Sequence, residues 1–270
     1  IEPVYRELQT RLDVAGYHVW SNFLTSPAFG GRSWLADASM LTGMFLDSQH
    51  KYDAAVRSAS RNLTHILGEA GYYRVLAAPG TYEAEDDWRT FYDFDLYLFR
   101  YDFGYRGPFV SFGAMPDQFL MYRTHQLTAD IAQPLFVNYV LVSSHVPFDR
   151  LPRYVDDWSR LDDGSIFNEL PIRQFDNNWL SGGEYPEGYV ASIEYTLTSA
   201  VTFITARSIA APASSWPNCS SIICPAQTHA SGLIRFFPVY FGAEPPIGSN
   251  IETPSGFKLP PAAMPMPPCI

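Results

Sequence analysis

Ser33 closes the run Ser26-Pro27-Ala28-Phe29-Gly30-Gly31-Arg32-Ser33, which sets a hydroxyl beside two glycines and an arginine where a helix is expected to begin. A helix start leaves backbone N–H groups unpaired and carries partial positive charge, and glycines let the backbone approach an anion with no Cβ in the way. The combination suits a tetrahedral oxyanion such as phosphate or sulfate. Arg32 adds a forked, permanently charged donor, and Ser33 adds an oxygen nucleophile. The same spacing also fits a capping serine after a tight turn, because serine is a favoured N-cap. The helix itself is expected from Leu35, Ala38, Leu41, Thr42 and Phe45, which recur every three or four residues.

Two further candidates lie downstream. His145, in Ser143-Ser144-His145, follows the most strand-like run of the chain, Pro134 to Ser143, and ligands of parallel sheets bind beyond the carboxyl ends of strands. Its imidazole suits donation to an anionic oxygen or coordination of a cation, and equally a loop histidine bonded to backbone. Asp117, in Met115-Pro116-Asp117-Gln118, could orient an active-site group, and Pro-Asp is also an ordinary helix-start signature. Asp37, one turn into the first candidate helix, is either a ligand or a complement to the helix dipole. The acidic group Asp156, Asp157, Asp162 and Asp163 reads as a solvated loop or a cation site.

Elements able to hold these residues alternate along the chain. Helices are expected over 3–15, from Ser33, over Ser60 to Ala70, Pro116 to Ala129 and Tyr189 to Ala206. Strands are expected over Tyr17 to Leu24, Tyr72 to Ala78, Asp95 to Phe99 and Pro134 to Ser143, with an acidic, aromatic segment over Asp86 to Asp93. Near-continuous apolar content in Pro134 to Ser143 fits a central parallel strand covered on both faces. Such alternation implies an α/β fold, a mostly parallel central sheet flanked by helices.

The chain has 270 residues, 47% of them hydrophobic, enough for one large core. A net charge of −10 argues against a nucleic-acid partner, which would need a basic face. No run of residues is apolar enough to span a bilayer, and no signal-peptide pattern is visible. Three cysteines, Cys219, Cys224 and Cys269, make neither a closed disulfide set nor a zinc pattern. Residues 208–270 hold 12 of the 22 prolines and four charged residues, so an irregular, proline-rich tail is expected there, after an α/β domain over 1–207.

Taken together, Phe23 to Ala36, Asp102 to Pro108, Met115 to Gln118, Ser143 to His145, Asp163 to Phe167 and Ser192 to Tyr195 resemble, in order and separation, one family. It is the sulfatase-type, membrane-associated bacterial proteins of the alkaline phosphatase superfamily, including lipoteichoic-acid synthase and phosphoethanolamine transferase relatives. The resemblance covers about residues 5 to 205 and implies an alkaline-phosphatase-like fold. It implies a hydrolase or phosphotransferase acting on phosphate or sulfate esters of the cell envelope, in an extracytoplasmic, membrane-associated setting. Ser33 would be the catalytic nucleophile and a ligand of a divalent metal (zinc, manganese, magnesium or calcium). Arg32, His145 and Asp117 would bind substrate, a small anionic ester or lipid headgroup. The family's first metal carboxylate precedes the matched region, and its later Asp-His pair has no counterpart, since no Asp-His dipeptide occurs here. The expectation is therefore an incomplete member, with any membrane anchor outside this segment. The alternative is a non-catalytic remnant that binds an anion or headgroup, with Trp34, Trp88, Tyr101 and Tyr105 as sugar or headgroup contacts.

Overall fold

The computed structural model describes residues 2–15, 22–28, 32–58, 60–83, 86–176, 187–210, 221–225 and 233–240. In chain order its elements are α1 (Glu2–Val14), β1 (Asn22–Thr25), α2 (Ser33–Thr42), α3 (Gln49–Val56), α4 (Leu63–Glu69), β2 (Tyr73–Ala78), α5 (Asp86–Tyr92) and β3 (Leu96–Phe99). There follow α6 (Asp117–Leu127), β4 (Leu135–Tyr139), β5 (Arg150–Leu151), α7 (Ile166–Glu169), β6 (Arg173–Gln174), α8 (Glu187–Ala210), β7 (Ser221–Pro225) and β8 (Leu233–Tyr240).

One sheet has the order β1-β8-β7-β4-β2-β3, and β5 pairs with β6 apart from it. β3, β2, β4 and β7 are mutually parallel, while β8 runs antiparallel to both β7 and β1. Two reversals cancel, so β1 points the same way as the parallel strands.

Alternation along the strands builds two cores. From β2 and β4, Val75, Ala77, Leu135, Val137 and Tyr139 face a layer made by Leu8 and Leu12 of α1, Phe119 and Leu120 of α6 and Val201 and Ile204 of α8. Their neighbours Leu76, Ala78 and Phe136 face Leu35, Ala38 and Leu41 of α2, Tyr52 of α3 and Phe91 of α5. All five residues of β4 are buried, as a strand covered on both faces requires. Leu35 is fully buried, and truncating such a leucine to alanine costs roughly 2–5 kcal/mol.

Local chemistry sets the ends of the elements. α2 stops at Gly43, whose φ of 71° suits the left-handed cap and whose N–H donates to the Ser39 carbonyl at 2.9 Å. α4 starts at Leu63, three residues later than the sequence suggests, because the Asn62 side chain caps the N–H groups of Thr64 and His65. The acidic, aromatic segment is largely the helix α5, with Phe91 and Tyr92 buried.

One expectation is corrected within the proline-rich tail. Residues 221–225 and 233–240 form strands of the main sheet instead of irregular chain. Among the described residues β1 pairs with residues 233–236 of β8, so Pro238 has a strand neighbour, β7, on one side. The remaining tail residues, Cys219 and Cys269 among them, lie outside the described residues, as do Tyr17 to Ser21 of the first expected strand. Among the described residues no helix is long and apolar enough to cross a membrane.

Candidate functional site

Ser33 is the first residue of α2 and is exposed, eight residues past the carboxyl end of β1. Arg32 occupies the N-cap position and supplies no side-chain cap, its carbonyl accepts from Leu35 N–H at 3.1 Å, and the start of α2 carries the positive end of the helix dipole. Ser33 is thus a helix opener and not the capping residue. Gly30 and Gly31 lie outside the described residues.

One turn further, Asp37 reaches the sheet. Its carboxylate accepts from Asn138 Nδ2 at 3.3 Å, which places α2 over the carboxyl half of β4. Loss of hydration raises the Asp37 carboxyl to about 6, partly offset by the Asn138 hydrogen bond. Asn138 is fully buried, and among the described residues its Oδ1 has no hydrogen-bond partner. Residues four apart share a helix face with Cβ atoms roughly 5–6 Å apart, so Asp37 lies on the face of α2 that Ser33 opens, one turn further on. The reading of Asp37 as a dipole complement is replaced by this cross-element contact.

The loop after β4 carries His145. Asp117, fully buried at the start of α6, fixes that loop: Oδ1 accepts from Val142 N–H at 2.8 Å and Ser143 N–H at 3.0 Å, and Oδ2 accepts from Thr196 Oγ1 of α8 at 2.7 Å. The Asp117 N–H donates in turn to Ser143 Oγ at 2.9 Å. These bonds turn Val142 and Ser143 away from the ladder, which is why β4 ends at Tyr139 and not at Ser143. Burial raises the Asp117 carboxyl, against four hydrogen bonds that lower it. Asp117 thus positions the loop and is enclosed away from solvent. His145 is half-buried, with Nδ1 2.7 Å from the Val146 carbonyl. A carbonyl only accepts, so Nδ1 carries the hydrogen, and donation from Nε2 to an anion requires the imidazolium form. The imidazole also lies 4.1 Å, centroid to centroid, from the ring of Phe112.

Asp117 and His145 therefore meet at one loop, and Ser33 with Arg32 stands on the same carboxyl edge of the sheet, tied to β4 through Asp37. Among the described residues no hydrogen bond joins Ser33 or Arg32 to His145 or Asp117. Asn138 is the site residue that sequence reasoning missed, and it gives Asp37, named there as a possible ligand, a partner on β4. The four-residue step from Ser33 to Asp37 was visible, whereas the Asn138 contact depends on strand order.

The aromatic candidates divide. Trp88 packs edge-on against Tyr52 and Tyr92, and Tyr105 against Phe119 and Phe167, so both belong to packing. Trp34 is partly exposed and donates to Gln49 Oε1, while Tyr101 is fully at the surface. In the acidic loop, Asp157 accepts from Ser159 and Asp163 from Ser165, ordinary turn contacts.

A divalent metal needs several converging oxygen or nitrogen ligands. Among the described residues no group of three or more His, Cys, Asp or Glu side chains converges, so the donor set present does not fit such a centre.

No family model and no curated protein matches the chain. Solved structures do. The lipoteichoic acid synthase LtaP from Listeria monocytogenes superposes with a TM-score of 0.57 at 17% identity, covering 88% of this chain and 61% of that one. A protein in the alkaline phosphatase superfamily from Vibrio parahaemolyticus superposes with a TM-score of 0.52 at 18% identity, covering 85% and 53%. The chain thus spans between half and two thirds of the length of these structures. With its parallel strands, flanking helices and serine-led α2 in place, this chain has the alkaline-phosphatase-like, sulfatase-type fold.

Proposed function

We propose that this chain processes phosphate or sulfate esters at the carboxyl edge of its sheet, as a sulfatase-like hydrolase or phosphotransferase with Ser33 as nucleophile. The observation that carries the reading is an exposed Ser33 at the start of α2, with the Asp37 carboxyl one turn further on and anchored on Asn138. A carboxyl near 6 is charged at neutral pH and basic enough to accept a proton in the transition state. In the proposed step Asp37 takes the Ser33 hydroxyl proton, Oγ forms a bond to phosphorus or sulfur, and the ester bond to the leaving alcohol breaks. The electron pair leaves on the alcohol oxygen, which receives the proton. Arg32 and the first amides of α2 would balance the negative charge on the oxygens in flight. Water or an acceptor hydroxyl then displaces Ser33, giving hydrolysis or transfer. The superposition on LtaP supports an envelope phosphoester as substrate, and with it an extracytoplasmic, membrane-associated setting.

A second reading is an anion- or headgroup-binding protein without turnover on the same scaffold. Hydrolysis of a chromogenic phosphodiester and of an aryl sulfate separates the two. The catalytic reading expects Ser33→Ala to lower turnover by roughly 10²-fold or more. Equal rates for wild type and variant overturn it, and anion binding without turnover supports the second reading.

A further inference from the structure

Phe112 stands at the tip of a turn rooted in the core. The turn closes through Gly113 N–H to the Val110 carbonyl at 3.1 Å and Val110 N–H to the Ala114 carbonyl at 3.0 Å, and Val110, Ala114 and Met115 are buried. Arg100 donates to the Gly113 carbonyl and holds the turn further. At the tip, Phe112 sits in the left-handed region, with φ 54° and ψ 20°, a conformation costly for a bulky side chain. Phe148, at φ 60°, offsets a similar cost by burial, whereas Phe112 stays 49% exposed. A bulky residue kept in such a conformation without full burial points to the placement of its ring as what the fold preserves.

The contacts of that ring show where it acts. Its centroid lies 4.1 Å from that of the His145 imidazole, with the two planes inclined by 40°. A Cβ on Gly80 would come within 3.1 Å of the ring, so the loop after β2 is bare where Phe112 rests. The histidine is held in three ways: its backbone N–H donates to the Val142 carbonyl at 3.0 Å, Nδ1 donates to the Val146 carbonyl at 2.7 Å, and Phe112 lies on the imidazole. One segment supplies two supports from outside the loop. Asp117, five residues after Phe112, fixes the backbone of Val142 and Ser143, and Phe112 fixes the ring. With Nδ1 committed to Val146, a substrate oxygen meets the imidazole through Nε2, and a ring confined before substrate arrives has less rotamer freedom to lose on binding.

We infer that Phe112 is a positioning residue for His145, holding the imidazole in the orientation in which Nε2 meets an oxygen of the bound anionic ester. The inference rests on the proposed function for the ester and extends it to a residue with no polar side-chain group, which acts through the histidine. Leucine would serve simple packing at this half-exposed site, and glycine would suit the backbone better. Neither places a flat ring on the imidazole.

A double-variant cycle on kcat/KM for a chromogenic phosphodiester and an aryl sulfate tests it, together with NMR of the histidine ring signals during titration with inorganic phosphate and sulfate. Phe112→Leu should lower kcat/KM by roughly tenfold, and Phe112→Tyr, which keeps the ring, should stay within about twofold of wild type. In a His145→Gln background, Phe112→Leu should change the rate by less than about twofold, because the two residues act as one unit. Phe112→Gly suits the local φ, so it should keep the fold intact by thermal melt and still lose as much rate as Phe112→Leu. In the wild type at least one of the two anions moves the His145 ring signal, and Phe112→Leu weakens that response by about threefold or more. Unchanged kcat/KM in Phe112→Leu or His145→Gln overturns the inference, as do effects that multiply in the double variant or a Phe112→Tyr as impaired as Phe112→Leu. So does a His145 signal that neither anion moves. Ser33→Ala keeps the two proposals apart: it abolishes turnover while the anion still moves the His145 signal. If the wild type turns over no ester, the catalytic proposal fails alone, and the anion response decides this one: dependence on Phe112 supports it and independence overturns it.

Discussion

A carboxyl group partly buried one helical turn past a serine hydroxyl is expensive in its charged form, and Asp37 carries that expense. Its value is near 6 in the fold against 3.8 when solvated, so the folded state holds the proton more tightly than the unfolded chain does. The stabilising contribution is complete below about 3.8 and is lost as pH rises through about 6. At pH 8 the penalty is on the order of 3 kcal/mol. Asp37→Asn should therefore raise the melting temperature at pH 8, by roughly 2–4 °C per kcal/mol for a chain of this size, and change it little at pH 4. Ester turnover by the wild type should climb as pH passes about 6. In Asp37→Asn that climb should vanish and the rate should fall. Paired pH-rate and pH-melting curves check both arms, and a gain in stability with a loss of rate separates a proton acceptor from a packing residue.

At the scale of elements, Asp117 joins three of them, binding α6, the loop after β4 and α8 through one side chain. Asp117→Ala leaves two buried N–H groups and a hydroxyl without their acceptor and should destabilise the fold by about 3 kcal/mol. Asp117→Asn keeps an oxygen for the Val142 and Ser143 N–H groups and offers Thr196 a donor, so it should cost less than half as much. Urea titrations of the two variants make the comparison, and equal losses would contradict the hydrogen-bond account. Much at this scale was legible in the sequence: α2 from its apolar spacing, α6 from Pro116-Asp117, and β4 from Phe136 and Val137. The end of β4 was not legible, because it depends on a carboxylate from another element. β7 and β8 were hidden by proline content, which reports local backbone freedom and is silent about the strands that the sheet makes available on either side.

Across the whole molecule, the parallel strands aim their carboxyl ends at one edge, where α2 with Arg32 and Ser33 and the loop with His145 stand. Ser33, His145 and their loops were legible as strand-following residues. The Asp37–Asn138 and Phe112–His145 contacts were not, since both arise between segments far apart in sequence. β7 and β8 connect β1 to β4, so removal of residues 208–270 should leave β1 without a partner and open an edge of β4. The truncated chain should melt earlier and aggregate in size-exclusion chromatography, whereas a monomer of unchanged melting temperature would show that the tail is a mere appendage. Mass spectrometry of acid-quenched protein, after incubation with a chromogenic phosphodiester and an aryl sulfate, tests Ser33 as the nucleophile. The peptide bearing Ser33 should gain the mass of one transferred group, with no such gain in Ser33→Ala. An unmodified Ser33 peptide alongside turnover that survives Ser33→Ala would contradict it.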